Sequence, residues 1–308
     1  MGGKRKRRWL VRLGLSTAAA LVLALAIGTC VGCAWRREFY RGGTSAPQDP
    51  VTGVMEGAEE IRIEGANPRA CLLVHGWLTS PTDFGDLPRA LAADGWDVYA
   101  PHQYGHCTHP RDMRDLTADK MLEAIRDDYA DLRARYDHVA LVGFSAGGAV
   151  LALLAAEHPP DRLVLVAPFL GVRYKWYYIL PPRWWQGVVA PVMPYVGRKH
   201  TSIHINRKEG LKRLRSYTVF PTRANDGPIE LRRRLREDVD VARLSMPVLL
   251  VYAPGDDVCS PKAELDFFRR LPGEANQVLA CPRSNHHILN DFDRDGAVRT
   301  IVGFLGGQ

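Results

Sequence analysis

The chain has 308 residues, 46% hydrophobic and 24% charged, which excludes a disordered polypeptide and favours one sizeable core carrying an insertion over two equal domains. The formal charge of +7 does not point to nucleic acid, because Lys4, Arg5, Lys6, Arg7, Arg8 and Arg12 all precede the first acidic residue, Glu38. The rest is nearly neutral and carries no nucleic-acid motif.

After that basic run, residues 13–34 are uncharged, with only Ser16, Thr17 and Thr29 interrupting apolar, Gly and Cys residues. The stretch is long enough to span a bilayer as a helix, and the heavier Lys/Arg cluster before it keeps that end cytoplasmic and sends the remainder across. Gly32-Cys33 resembles the end of a bacterial lipobox, although Cys30 stands where that pattern usually has Leu. Residues 1–34 therefore read as a membrane anchor or lipoprotein-type signal, with the catalytic domain on the extracytoplasmic side. Residues 35–60, rich in Gly, Pro and polar side chains, read as a tether.

Beyond the tether, short apolar runs at 70–75, 96–101, 138–144, 163–167, 248–253 and 277–281 alternate with helical patterns at 84–94, 118–136, 146–158, 263–270 and 297–305. Continuous Leu/Val runs suit parallel strands buried on both faces. The expected fold of residues 61–308 is a doubly wound, mostly parallel α/β sheet. The gap from 169 to 245 is too long for one crossover helix and reads as a helical cap. It holds 16 Lys/Arg against 6 Asp/Glu, with Trp176, Trp184 and Trp185, a composition suited to anionic headgroups or to a solvated basic helix over an aromatic core.

Gly143-Phe144-Ser145-Ala146-Gly147 matches G-x-S-x-G between a strand and a small-residue helix, which makes Ser145 the candidate nucleophile. A tetrahedral acyl intermediate needs two backbone donors. One is expected from Ala146 and the other from Trp77 in His75-Gly76-Trp77, after the first core strand. In this chain order the acid follows the strand at 248–253, where Asp256 is preferred and Asp257 competes. The base comes from the last loop, where His286 is preferred and adjacent His287 reads as a wall or surface residue. His102, His106 and His109 lack a completing ligand set and read as hydrogen-bonding loop residues rather than a metal site. Six cysteines show no metal spacing, and Cys107 with Cys259 forms a conceivable disulfide in an exported domain.

Together His75-Gly76-Trp77, Gly143-Phe144-Ser145-Ala146-Gly147-Gly148, Gly255-Asp256-Asp257-Val258 and Ser284-Asn285-His286 resemble the carboxylesterase and monoacylglycerol-lipase group of α/β hydrolases. Tyr217-Thr218-Val219-Phe220-Pro221-Thr222-Arg223 is similar to the end of that group's cap. Cys107 stands where the group usually has Gly, and Asn285 where Gly is common. The resemblance implies cleavage of a small acyl ester through an acyl-enzyme, a reaction that needs no cofactor and no metal, while the anchor and the basic cap point to a membrane lipid surface. A thioesterase or peptidase would use the same side chains, and a non-catalytic envelope binding protein could use the same fold.

Overall fold

The computed structural model describes residues 30–173, 190–191 and 193–307, together with positions 19, 22, 26, 28 and 187. Seven strands form one sheet: β1 Ile61–Ile63, β2 Arg69–Val74, β3 Asp97–Ala100, β4 His138–Phe144, β5 Arg162–Val166, and later β8 Val248–Tyr252 and β9 Gln277–Ala280. A separate hairpin, β6 Tyr195–Gly197 with β7 Val219–Pro221, lies between them in sequence. The sheet order is β1-β3-β2-β4-β5-β8-β9, parallel throughout except for β1, which runs antiparallel to β3. All six expected strands form; β1 was not expected, because Ile-Arg-Ile is too short to display a period.

The chain runs from β2 outward to β3 and then returns to the other side of β2 as β4, so the order reverses between β2 and β4. In open α/β sheets that reversal opens a crevice at the carboxyl ends of the two strands. Among the described residues, the helices that flank the sheet are α1 Leu87–Ala93, α2 Ala118–Arg135, α3 Ala146–Glu157, α4 Asp226–Glu237, α5 Pro261–Phe268 and α6 Arg294–Gly306. Leu72, Val74, Leu141 and Leu165 join the core shared with α2, α3 and α4, whereas Cys71, Leu73, Val142 and Val164 join the core shared with α1 and α6. Alternate strand residues thus reach opposite apolar layers, which is why the strands read as unbroken hydrophobic runs.

Of the segment expected as a cap, 169–245, residues 174–186, 188, 189 and 192 lie outside the described residues, Trp176, Trp184 and Trp185 among them. Leu231 and Leu235 of α4, with Val241 and Leu244 beyond it, are buried in the sheet-facing core. Its last third is thus the ordinary crossover layer between β5 and β8. Arg232, Arg233, Arg234 and Arg236 hide this in the sequence, since the apolar stripe is only two leucines and Pro228 wide.

The segment expected as a tether, 35–60, is folded against the domain. Phe39 is 1% exposed, its ring centroid 4.2 Å from that of Tyr195. Trp35 lies so close to Gly197 that a Cβ there would meet its ring at 2.2 Å. Further along, Thr44 bridges to Tyr217 and the Met55 amide donates to the Cys107 carbonyl at 2.7 Å. Isolated plugs such as Phe39, Met55 and Ala58, separated by turn residues, leave no periodic signal. The expected anchor, 13–34, lies largely outside the described residues, among which no helix is long and apolar enough to cross a membrane.

If α4 is a core element, Leu235→Ala lowers unfolding free energy by about 2–5 kcal/mol in urea titration, a loss that a solvent-washed lid residue would not produce.

Candidate active site

Ser145 occupies the turn between β4 and α3 with φ +52°, a left-handed backbone that a non-glycine residue holds only when its surroundings enforce it. Its amide donates to the Val166 carbonyl at 3.0 Å, and its carbonyl accepts from Phe169 at 2.9 Å and Ala149 at 3.2 Å. A Cβ on Gly143 would sit 2.6 Å from Gly148 Cα, and one on Gly147 would sit 2.0 Å from the Val74 carbonyl oxygen. These two glycines therefore let the first turn of α3 press against the end of β2.

His286 Nε2 lies 2.9 Å from Ser145 Oγ, and its Nδ1 lies 2.7 Å from Asp256 Oδ2. The second Asp256 oxygen accepts from the Val258 amide at 2.7 Å and the Cys259 amide at 2.9 Å. Burial works to raise the Asp256 pKa, but the imidazole and the two amides outweigh it and hold the carboxyl below its ordinary value. An ionised Asp256 requires Nδ1 to carry the proton, which leaves the Nε2 lone pair for the serine hydroxyl.

Asp257 turns away and is exposed. Its amide donates to Asn285 Oδ1 at 3.1 Å, and its carboxylate accepts from Asn285 Nδ2 at 3.0 Å. The same Oδ1 accepts from the His286 amide at 2.8 Å. Asn285, one of the departures from the family pattern, thereby clips the acid loop to the histidine loop.

On the other side of Ser145, the loop after β2 has alternate amides occupied by side chains. Gly76 donates to Asp83 Oδ2 at 2.9 Å and Leu78 to His106 Nε2 at 3.3 Å. Between them, the Trp77 amide has no acceptor among the described residues. Ala146, the first residue of α3, likewise contributes one of the free donors of a helix N-terminus. The Trp77 indole is fixed by Nε1 donating to Asn225 Oδ1 at 3.1 Å.

Two neutral imidazoles brace this loop. His75 Nε2 accepts from the Gln103 amide at 3.2 Å while Nδ1 donates to the Gly76 carbonyl at 2.9 Å. His106 accepts from Leu78 and donates through Nδ1 to the Tyr104 carbonyl at 3.0 Å. Burial pushes the His75 pKa down to about 4 and that of His106 to about 3. His102 Nε2 instead meets the Ala58 carbonyl at 2.7 Å, and His109 Nδ1 accepts from the Arg111 amide at 3.1 Å. The three loop histidines thus turn to different backbone groups.

Sequence reasoning missed Asp83, and of the two readings of His287, wall or surface, its burial excludes the surface one. Both are buried, with His287 Nδ1 3.2 Å from Asp83 Oδ1. Asp83 also accepts from Thr79 Oγ1 as well as from Gly76. Adjacent histidines therefore serve two carboxylates, His286 with Asp256 and His287 with Asp83, and the Phe144 ring packs against both. The sequence signal for Asp83 is only an acidic residue within an apolar turn, Pro81–Phe84. Cys107 and Cys259 are both free and buried, so the conceivable disulfide is not formed. Cys107 adopts φ +66°, which accounts for Gly at this position in the family pattern.

The family model for serine aminopeptidase, S33, matches residues 66–293. The chain is 36% identical over 255 residues to the thermostable monoacylglycerol lipase of Bacillus sp. (strain H-257), covering 82% of this chain and 96% of that one. It is 22% identical over 241 residues to a carboxylesterase of Bacillus subtilis (strain 168), covering 77% and 92%. The solved structure of the Paleococcus ferrophilus monoacylglycerol lipase superposes with a TM-score of 0.67 at 18% identity, over 81% of this chain and 98% of that one.

Asp83→Asn is expected to loosen the Trp77 loop. In steady-state ester hydrolysis kcat should fall with little change in KM, the ceiling being the roughly 10²- to 10³-fold cost of losing an oxyanion donor outright. A second expectation concerns acid. His75 and His106 have folded pKa values below the unfolded value of about 6.5, so the unfolded chain binds more protons between the two. Stability measured by denaturant titration should therefore fall as pH drops from about 6.5 towards 4, with a shallower slope in His106→Asn.

Proposed function

The chain belongs to the serine aminopeptidase S33 family, and on that premise we propose that it cleaves lipid-type carboxylic esters, monoacylglycerols foremost, with Ser145, His286 and Asp256 as a catalytic triad. It is an ester hydrolase of the lipase and esterase kind. One observation carries the triad reading. A continuous hydrogen-bonded line runs from buried Asp256 through His286 to Ser145 Oγ, and the Trp77 and Ala146 amides have no acceptor among the described residues.

In the reaction, His286 Nε2 removes the hydroxyl proton as Ser145 Oγ attacks the ester carbonyl. The Trp77 and Ala146 amides hold the oxygen that becomes negative, while Asp256 stabilises the imidazolium. That imidazolium then protonates the departing alkoxide, and water activated by the regenerated base releases the acid. Side chains and backbone amides carry every step. The preference for an ester over a thioester or amide leaving group is supported by the activities named for the relatives.

Membrane attachment belongs to the same proposal. Residues 13–34 hold the chain in a bilayer, with the catalytic domain on the extracytoplasmic side, and Trp35 and Phe39 follow them directly. Those two rings pack on Gly197 and Tyr195 of β6, which would keep the cap hairpin near the point where the chain leaves the lipid. Two of the four α4 arginines are engaged in ion pairs, Arg233 with Glu230, Glu237 and Asp238, and Arg234 with Glu230 and with Asp119 of α2. Attraction to anionic headgroups would then fall to the insertion's other basic residues.

Ser145→Ala is expected to lose ester hydrolysis by on the order of 10⁴-fold or more and to lose all fluorophosphonate labelling. Asp256→Asn should cost about 10⁴-fold in kcat, whereas Asp257→Asn should stay near wild type. Equal labelling of Ser145→Ala and wild type would overturn the assignment. Monoacylglycerols should be turned over faster than matched thioesters or aminoacyl amides. The intact chain should sediment with membranes, and a chain starting at residue 35 should not.

A further inference from the structure

The hydrolytic scheme leaves one neighbouring thiol idle. Cys259, three residues after Asp256, is 0% exposed and bridges to Val172 at the start of the insertion. Because its amide is committed to Asp256 Oδ1, the residue is folded back onto the site. One ligand atom from each of Asp256, Cys259 and His286 lies within 4.8 Å of the others, and all three residues are buried. Among the described residues no other group of three His, Cys, Asp or Glu side chains converges in this way.

The proton arrangement suits a soft divalent cation. His286 donates a hydrogen bond through Nδ1–H to Asp256 and presents an Nε2 lone pair, the same carboxylate-backed imidazole found at zinc-binding histidines. Imidazole with thiolate selects zinc over magnesium or calcium, which prefer oxygen shells. Zinc bonds of about 2.0 Å to nitrogen and 2.3 Å to sulfur would draw the Cys259 thiol and the imidazole together from their present spacing of no more than 4.8 Å. The cation would reach these buried atoms by the route the ester takes to Ser145.

We infer that Zn²⁺ binds reversibly in this site as an inhibitor, held by His286 Nε2 and Cys259 Sγ, with Asp256 behind the imidazole and Ser145 Oγ as an oxygen neighbour. On binding, the Zn–N and Zn–S bonds form, the thiol proton leaves to solvent and no oxidation state changes. The lone pair that serves as general base is then occupied, and the Ser145–His286 hydrogen bond is lost.

The test uses the full chain, ZnCl₂, and initial rates of p-nitrophenyl ester hydrolysis. Zinc should inhibit, EDTA should restore the rate, and equal MgCl₂ should have no effect. Relative to each variant's own zinc-free rate, Cys259→Ala and the near-isosteric Cys259→Ser should each raise the inhibitory concentration by about 10- to 100-fold. Cys107→Ala, another buried thiol, should leave it where it was. Zinc should also slow fluorophosphonate labelling of Ser145 in wild type, and in Cys259→Ala only at the correspondingly higher zinc concentration. Equal inhibitory concentrations in wild type and both Cys259 variants, or an unchanged labelling rate under zinc, would overturn the inference. It rests on the proposed triad, whose own failure would appear separately, as zinc-free activity surviving in Ser145→Ala.

Discussion

At Gly147 the first turn of α3 rests against the carbonyls of Val74 and His75 with no room for a Cβ. That contact sets the distance between the end of β4, which carries Ser145, and the end of β2, which carries the Trp77 loop. Were α3 to stand off by the width of one methyl group, the spacing between Ser145 and the Trp77 loop would change with it. The strained backbone of Ser145 has the same origin, because a strand must turn into a helix there within one residue.

Burial then decides how charge is used around that point. Asp256 and Asp83 are both withdrawn from water, and a buried carboxylate is tolerable only when donors surround it. Each has recruited one of two consecutive histidines, Asp256 with the Val258 and Cys259 amides and Asp83 with the Gly76 amide and the Thr79 hydroxyl. The chain turns tightly at His287, whose φ is −82° and ψ 62° and across which the Ile288 amide donates to the His286 carbonyl, so His286 meets the serine while His287 meets Asp83. His75 and His106 meet the same problem by staying neutral, each accepting one amide proton and donating its own to a carbonyl.

Two departures from the family pattern have local physical consequences. Cys107 adopts a left-handed backbone that glycine would take without strain, and its carbonyl anchors Met55 of the N-terminal strap. Asn285 adds a side chain where glycine is common and uses both ends of its amide, holding the Asp257 backbone and carboxylate while accepting from the His286 amide. Neither consequence could be drawn from residue type, since each depends on a partner far away in the chain.

What could be read from the amino-acid order is what local chemistry encodes. The buried strands appear as unbroken apolar runs, the Ser145 turn appears as glycines bracketing a serine between strand and helix, and the acid and base loops follow from the order of strand ends. Tertiary structure alone decided which of Asp256 and Asp257 meets the imidazole, where His287 points, that Asp83 belongs to the site, that residues 35–60 are strapped down, and that α4 is core rather than cap. All of these depend on contacts between segments tens to hundreds of residues apart. Periodicity and spacing describe a residue's own neighbourhood and carry no information about such partners.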